Sequence, residues 1–97
     1  MITTKINNKI MSFRLDISTE QAVHLPAGYK ILSVQAIDGN IYLNILAVPG
    51  YGMNVIFVWM YHTGDIVPDH PYMEFIGSVK TADDVPTFHV FSSTKRD

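Results

Sequence analysis

The chain has 97 residues, of which 47% are hydrophobic and 16% charged, and its formal net charge is −2. That length carries one domain with a single core, and that apolar content excludes a disordered chain. No Lys or Arg lies between Lys30 and Lys80, whereas Asp38, Asp65, Asp69 and Glu74 do, so a phosphate-tracking surface is missing and nucleic acid is not an expected partner.

Residues 1–8 are polar and read as an N-terminal extension, residues 9–92 as a single β domain and residues 93–97 as a charged tail. The opening MITTKINNKIMSFRL has no apolar run of signal-peptide length, so a soluble, cytoplasmic protein is expected. Lys9–Ile17 alternates, with Met11, Phe13 and Leu15 on one side and Ser12, Arg14 and Asp16 on the other, which predicts a half-buried strand. Ser18–Gln21 resembles a capping box. Pro26 leaves no room for a helix after it, so a turn is expected, followed by a short strand at Ala22–Leu25.

Pro26-Ala27-Gly28 then leads into Lys30–His62, read as three successive strands joined by two tight turns. Asp38-Gly39 suits a type I′ hairpin turn, whose two central residues both need positive φ. Folding back there pairs Ala36 with Ile41, Val34 with Leu43 and Leu32 with Ile45 on one face, and Gln35 with Tyr42 and Ser33 with Asn44 on the other. Leu32, Val34, Leu43 and Ile45 are the expected core, joined by Phe13, Phe75 and Val90. Pro49-Gly50-Tyr51-Gly52 is the second turn. With four loop residues it opposes Val48 to Met53, Ile45 to Ile56 and Leu43 to Val58, and sends Ile56, Val58 and Met60 inward. Val55, Phe57, Trp59 and Tyr61 then share the other face with Tyr42, Asn44 and Leu46; a five-residue turn would exchange the two sets. Ile41–His62 has the length of a membrane span, but Pro49, Gly50 and Gly52 interrupt it and Asn44 and Asn54 lie within, so no membrane segment is expected.

His62–Pro71 is the longest loop. Tyr72–Lys80 is a strand with Met73, Phe75 and Val79 on one face and Gly77 at a bulge or a close approach. Thr81–Asp84 turns, and Thr87–Ser92 is the last strand. The fold class expected is all-β, a small antiparallel sandwich or barrel of about six to seven strands.

The sequence holds no cysteine, which removes disulfides, thiolate metal sites and thiol nucleophiles together. His62, Asp65, Asp69 and His70 share a loop, but their spacing matches no metal pattern, and no metal or cofactor is expected. His89 alternates with Phe88 and Val90 and belongs on an outer face. Asp83-Asp84 sits in a turn, where neighbouring carboxylates point apart; Gly50-x-Gly52 is too short to cradle a phosphate; no Ser or Thr stands beside a recognisable base. An enzyme is not expected. The candidate contact residues are Tyr42, Phe57, Trp59 and Tyr61, whose alternative role is plain core, because Trp and Tyr dominate protein–protein hot spots. A strand apolar on both faces suggests a homo-oligomer, most simply a two-fold dimer through Trp59 and Phe57, unless a second sheet covers that face within the chain.

LPAGYKILSVQ at Leu25–Gln35, the Asp38-Gly39 turn, Thr63-Gly64, FIG at Phe75–Gly77 and FHVF at Phe88–Phe91 resemble the DUF7352 group of short bacteriophage and prophage proteins. The similarity spans about two-thirds of the chain. In that pattern a tryptophan falls in the strand after the Asp-Gly turn and His follows Thr-Gly; here Ile45 and Leu46 hold the strand and Asp65 follows Gly64. Residues 1–8 and Thr94–Asp97 look like additions. The resemblance implies phage origin and the host cytoplasm, and carries no catalytic residues. The expected function is a non-enzymatic binding protein that inhibits a host defence or host machinery component. One alternative is a protein that sequesters a nucleotide signal in a pocket between protomers, with Lys9, Arg14, Lys30 and Lys80 converging from the edges. The other is a structural or accessory phage protein.

Overall fold

A computed structural model describes residues 7–50 and 52–96, so most of the expected extension at residues 1–8 lies outside the described residues. Seven strands follow in order: β1 (Lys9–Leu15), β2 (Glu20–Pro26), β3 (Lys30–Ile37), β4 (Asn40–Ala47), β5 (Met53–His62), β6 (Glu74–Val79) and β7 (Phe88–Ser93). They form two antiparallel sheets, β1-β4-β3 and β2-β5-β7-β6, and among the described residues no ladder joins one to the other. The fold is therefore an open sandwich and not a closed barrel. No helix of the described residues is long and apolar enough to cross a membrane.

Strand β4 is the middle of the first sheet, and its alternation is strict. Ile41, Leu43, Ile45 and Ala47 have no exposed surface, while Asn40, Tyr42, Asn44 and Leu46 are half-buried on the outer face. Ile56, Val58 and Met60 of β5 and Phe88 and Val90 of β7 meet them from the second sheet, and Leu15 and Leu25 close the cluster. Each large aliphatic side chain removed from water in this way contributes roughly 1.5–3 kcal/mol.

The first hairpin forms as its residues dictate. Asp38 and Gly39 have φ of 51° and 80°, the type I′ requirement, and Ala36, Gln35, Val34 and Ser33 oppose Ile41, Tyr42, Leu43 and Asn44. Beyond Ser33 the register departs from the sequence pattern. A bulge between Ile31 and Ser33 puts Ile31, not Leu32, opposite Ile45, and Leu32 is 45% exposed. Val34 and Phe13 are half-buried because each lies on an edge strand, whose inner face has a neighbour on one side only.

The second turn makes no hairpin. β4 already pairs with β1 on one side and β3 on the other, so it has no edge left for β5. The chain crosses instead to the second sheet, where β5 pairs with β2 and β7. The expected pairs Val48–Met53, Ile45–Ile56 and Leu43–Val58 are thus replaced, although Ile56, Val58 and Met60 still point inward. Another crossing lies between β1 and β2. There the Gln21 carboxamide acts as a strand partner, accepting from the Asp16 N–H at 2.9 Å and donating to the Asp16 carbonyl at 2.6 Å. That local use of Gln21, with strand β2 starting at Glu20, is what the resemblance to a capping box concealed.

Phe75 is a second departure from the expected core. It opposes Phe91 on the outer face and is 59% exposed, because a bulge between Phe75 and Gly77 changes which side the rest of β6 presents. Val79, beyond the bulge, packs against the core. Gly77 sits where β6 passes β3. With φ at 155°, a Cβ there would lie 2.5 Å from the Val34 Cγ2. Gly77→Ala is expected to destabilise the fold by about 1–3 kcal/mol through overpacking and backbone strain. In urea titrations, Val34→Ala should recover part of that loss in the Gly77→Ala background while destabilising the wild type; simple additivity would exclude the contact as the reason for glycine.

Candidate functional site

Side chains that point away from the core on the second sheet line up in cross-strand rows. Trp59 of β5 opposes Glu20 of β2 and Phe91 of β7, and Phe91 opposes Phe75 of β6; the next row runs Tyr61, His89, Ser78. The rings form a band. Phe57 and Trp59 have centroids 6.3 Å apart, Tyr61 and Phe91 6.2 Å, Phe75 and Phe91 5.6 Å. Met53 and Val55 extend it along β5 as exposed apolar side chains. Phe57, Trp59 and Tyr61 therefore share one face as the alternation implied. Tyr42 does not join them: it lies on the outer face of the other sheet, across the core, beside a polar ladder in which Asn44 bonds both Ser12 and Ser33. Phe75, expected in the core, and Phe91 complete the band. The alternation in FHVF was the available signal for Phe91, but no local pattern announces the bulge that turns Phe75 outward.

The loop between β5 and β6 folds over this face, and Trp59 is only 6% exposed. Its first turn explains Asp65: the Asp65 carboxylate accepts from the His62 N–H at 2.8 Å while the Asp65 N–H donates to the His62 carbonyl at 3.0 Å. Farther along, the His70 ring lies 5.0 Å from the Trp59 ring. Its Nδ1 accepts from the Tyr72 N–H at 3.2 Å, leaving Nε2 to donate to the Arg96 carbonyl at 2.8 Å. Arg96 in turn bonds Glu20 on β2 at 3.0 Å, so residues near the C-terminus strap the loop onto the sheet. Beneath the loop is a pocket of about 320 Å³ whose walls include Trp59, Tyr61, Pro68, Asp69 and Arg96.

A larger cleft of about 610 Å³ opens at the end of the sandwich where β3 and β6 face each other. Ile31, Ile76 and Ser92 form its inner walls, and Tyr72 and Phe75 stand at its rim. Glu74 opposes the buried Ser92 in the β6–β7 register, which places both side chains on the inner side of the sheet. The Tyr29 phenol comes from the β3 side. Burial, with the Glu74 carboxylate adding to it, pushes its pKa above the ordinary tyrosine value. Both bulges, at Leu32 and Ile76, flank this opening. Lys9, Arg14, Lys30 and Lys80 line neither cavity, and Arg14 and Lys30 lie on the outer face of the first sheet.

His89 stands between two hydroxyls, with Ser78 Oγ 2.8 Å from Nδ1 and Thr63 Oγ1 2.7 Å from Nε2. This is a serine beside a base that the sequence did not reveal. The second nitrogen meets a hydroxyl in place of the carboxylate that orients a catalytic histidine, and the three side chains tie β6, β7 and the loop together. Among the described residues no three His, Asp or Glu side chains are placed to hold a metal ion.

The family "Domain of unknown function (DUF7352)" matches residues 6–97, and the chain belongs to it. The match begins well before Leu25 and takes in Thr94–Asp97, so the strapping residues are part of the family's domain and not an addition to it. Neither a curated protein nor a solved structure matches the chain.

Trp59 is the single tryptophan, so its fluorescence reports the loop. Combining His70→Ala with Arg96→Ala is expected to shift its emission to longer wavelength while far-ultraviolet circular dichroism stays unchanged; an unmoved maximum would mean that other contacts hold the loop. The raised Tyr29 pKa gives a second expectation. Its stabilisation is complete below the unfolded value of about 10 and is lost as pH rises through the folded value. Denaturant titrations should therefore show stability falling more steeply above about pH 10 in the wild type than in Tyr29→Phe.

Proposed function

We propose that this member of the DUF7352 family is a non-catalytic binding protein that holds a partner protein against the outer face of its second sheet. The observation that supports this is the aromatic band, which ends at an edge strand with Phe75 largely exposed. Contiguous apolar surface on a small domain marks an interaction site, and aromatic side chains supply much contact area at little entropic cost. The finer reading follows from the family resemblance. In a phage-infected bacterium this face holds a component of host defence or host machinery in the cytoplasm and blocks it.

A second reading has a specific observation behind it. Met53 and Val55, exposed, and Phe57, half-buried, form an apolar stripe on β5, and an isologous contact through this stripe would cover it in both copies of a two-fold dimer. Trp59, covered by the loop, lies beside Phe57 on the same face, with the ring centroids 6.3 Å apart.

Sedimentation and capture experiments separate the two. The partner reading expects a monomer that retains a specific host protein, with retention lost in Phe75→Ala and Phe91→Ala. The dimer reading expects a wild-type mass of two chains in the micromolar range and a monomer for Phe57→Asp. A wild type that stays monomeric and captures nothing overturns both.

A further inference from the structure

The cleft between β3 and β6 is not used by either reading, and its chemistry is one-sided. Its volume of about 610 Å³ falls in the range of small-molecule sites. Among the described residues Glu74 is the single ionised side chain on its walls, and none of the Lys, Arg or His residues lines it. We propose that this cleft binds a small organic ammonium ion, an amine carrying an apolar or aromatic body, with Glu74 as its counter-ion.

The register is the first support. Pairing with Ser92 holds Glu74 on the inner side of the sheet, at the open end of the core, where its carboxylate faces a ligand seated in the cleft. An ammonium also brings several N–H donors, and the hydroxyls of Tyr29 and Ser92 offer acceptors around the same opening. The Tyr29 phenol, neutral at physiological pH as any tyrosine is, keeps a lone pair for that purpose without adding a second negative charge.

The apolar walls account for the rest of the ligand. Ile31 and Ile76 pack against the core from opposite sheets and would sandwich a flat or aliphatic body. The bulges at Leu32 and Ile76 interrupt both facing ladders here, which is the local reason that the two edges stand apart instead of zipping together. At the rim Lys95 Nζ lies 4.2 Å from the centroid of the Tyr72 ring, so that ring face is taken and the ammonium of a ligand is left to Glu74 on the cleft wall. An anionic ligand finds the opposite conditions. A nucleotide phosphate in this cleft would face Glu74, while the Lys95 ammonium at the rim is engaged on the Tyr72 ring.

Titrations followed by backbone amide shifts test the site, using 2-phenylethylammonium, its neutral counterpart 2-phenylethanol, and adenosine monophosphate as probes. The expected result is shift changes confined to residues 29–32, 74–76 and 92–94 with the amine, weaker binding of the alcohol, and none of the nucleotide. Glu74→Gln should weaken amine binding by about tenfold, the effect of roughly 1.4 kcal/mol of lost ion pairing. Glu74 is exposed enough for this variant to fold, which an unchanged thermal transition verifies; Tyr29→Phe, lacking one acceptor, should weaken it less. Equal affinity for amine and alcohol, unchanged affinity in Glu74→Gln, binding of the nucleotide, or no shift with any probe at millimolar concentration would each overturn the proposal. Glu74 is not part of the aromatic band, so failure here leaves the partner-binding reading where it stands.

Discussion

Everything in this fold is arranged around a strand that has no free edge. β4 presents four side chains without exposed surface to the core, and β1 and β3 occupy both of its hydrogen-bonding edges. The first consequence is topological. The chain leaving β4 must find its partners elsewhere, and it does so by crossing to the second sheet, where β5 becomes an interior strand between β2 and β7. The second consequence is chemical. With the core closed by the inner faces of the two sheets, the aromatic side chains of β5 have only the outside left to them.

That outside is then handled in two ways. Over Trp59 the long loop folds down, held by the His70 ring and by Arg96, which reaches Glu20 across the sheet. Met53, Val55 and Phe75 stay exposed, and Phe57 is half-buried. A chain that covers one aromatic side chain and leaves its neighbours open separates packing from display on a single strand. This division is why the surface, and not the titratable groups, dominates the functional reading.

The seam between β3 and β6 shows how one close approach shapes a site. Two edge strands cannot be left as flat templates without inviting aggregation. Here each carries a bulge, and Gly77 lets β6 pass close to Val34. The strands are near enough to shield one another at that point. Toward the start of both strands they part, and the opening collects Glu74, Tyr29 and Ser92. The cleft is thus a by-product of edge protection, with a carboxylate facing inward because its register partner does.

The amino-acid sequence by itself determined the all-β class, the type I′ turn at Asp38-Gly39, four of the first hairpin's pairings and the inward set of β5. Each of these depends on φ requirements or on alternation, which are local and have a period of two. Alternation says which side of a strand is buried, but it is silent about which strand lies alongside. Ile56, Val58 and Met60 could be assigned to the core, therefore, while their pairing with β4 could not be distinguished from pairing with β2 and β7. Leu32 and Phe75 were misplaced for a related reason, since a bulge inserts one residue and reverses parity without a residue type that demands it. The candidate site divides along the same line. Phe57, Trp59 and Tyr61 share a face by spacing alone, whereas the addition of Phe75 and Phe91, the removal of Tyr42 and the meeting of Glu74 with Tyr29 depend on contacts between strands far apart in the chain. Only the tertiary structure decided those, because long-range pairing is chosen by the edges that remain free once the central strand is enclosed.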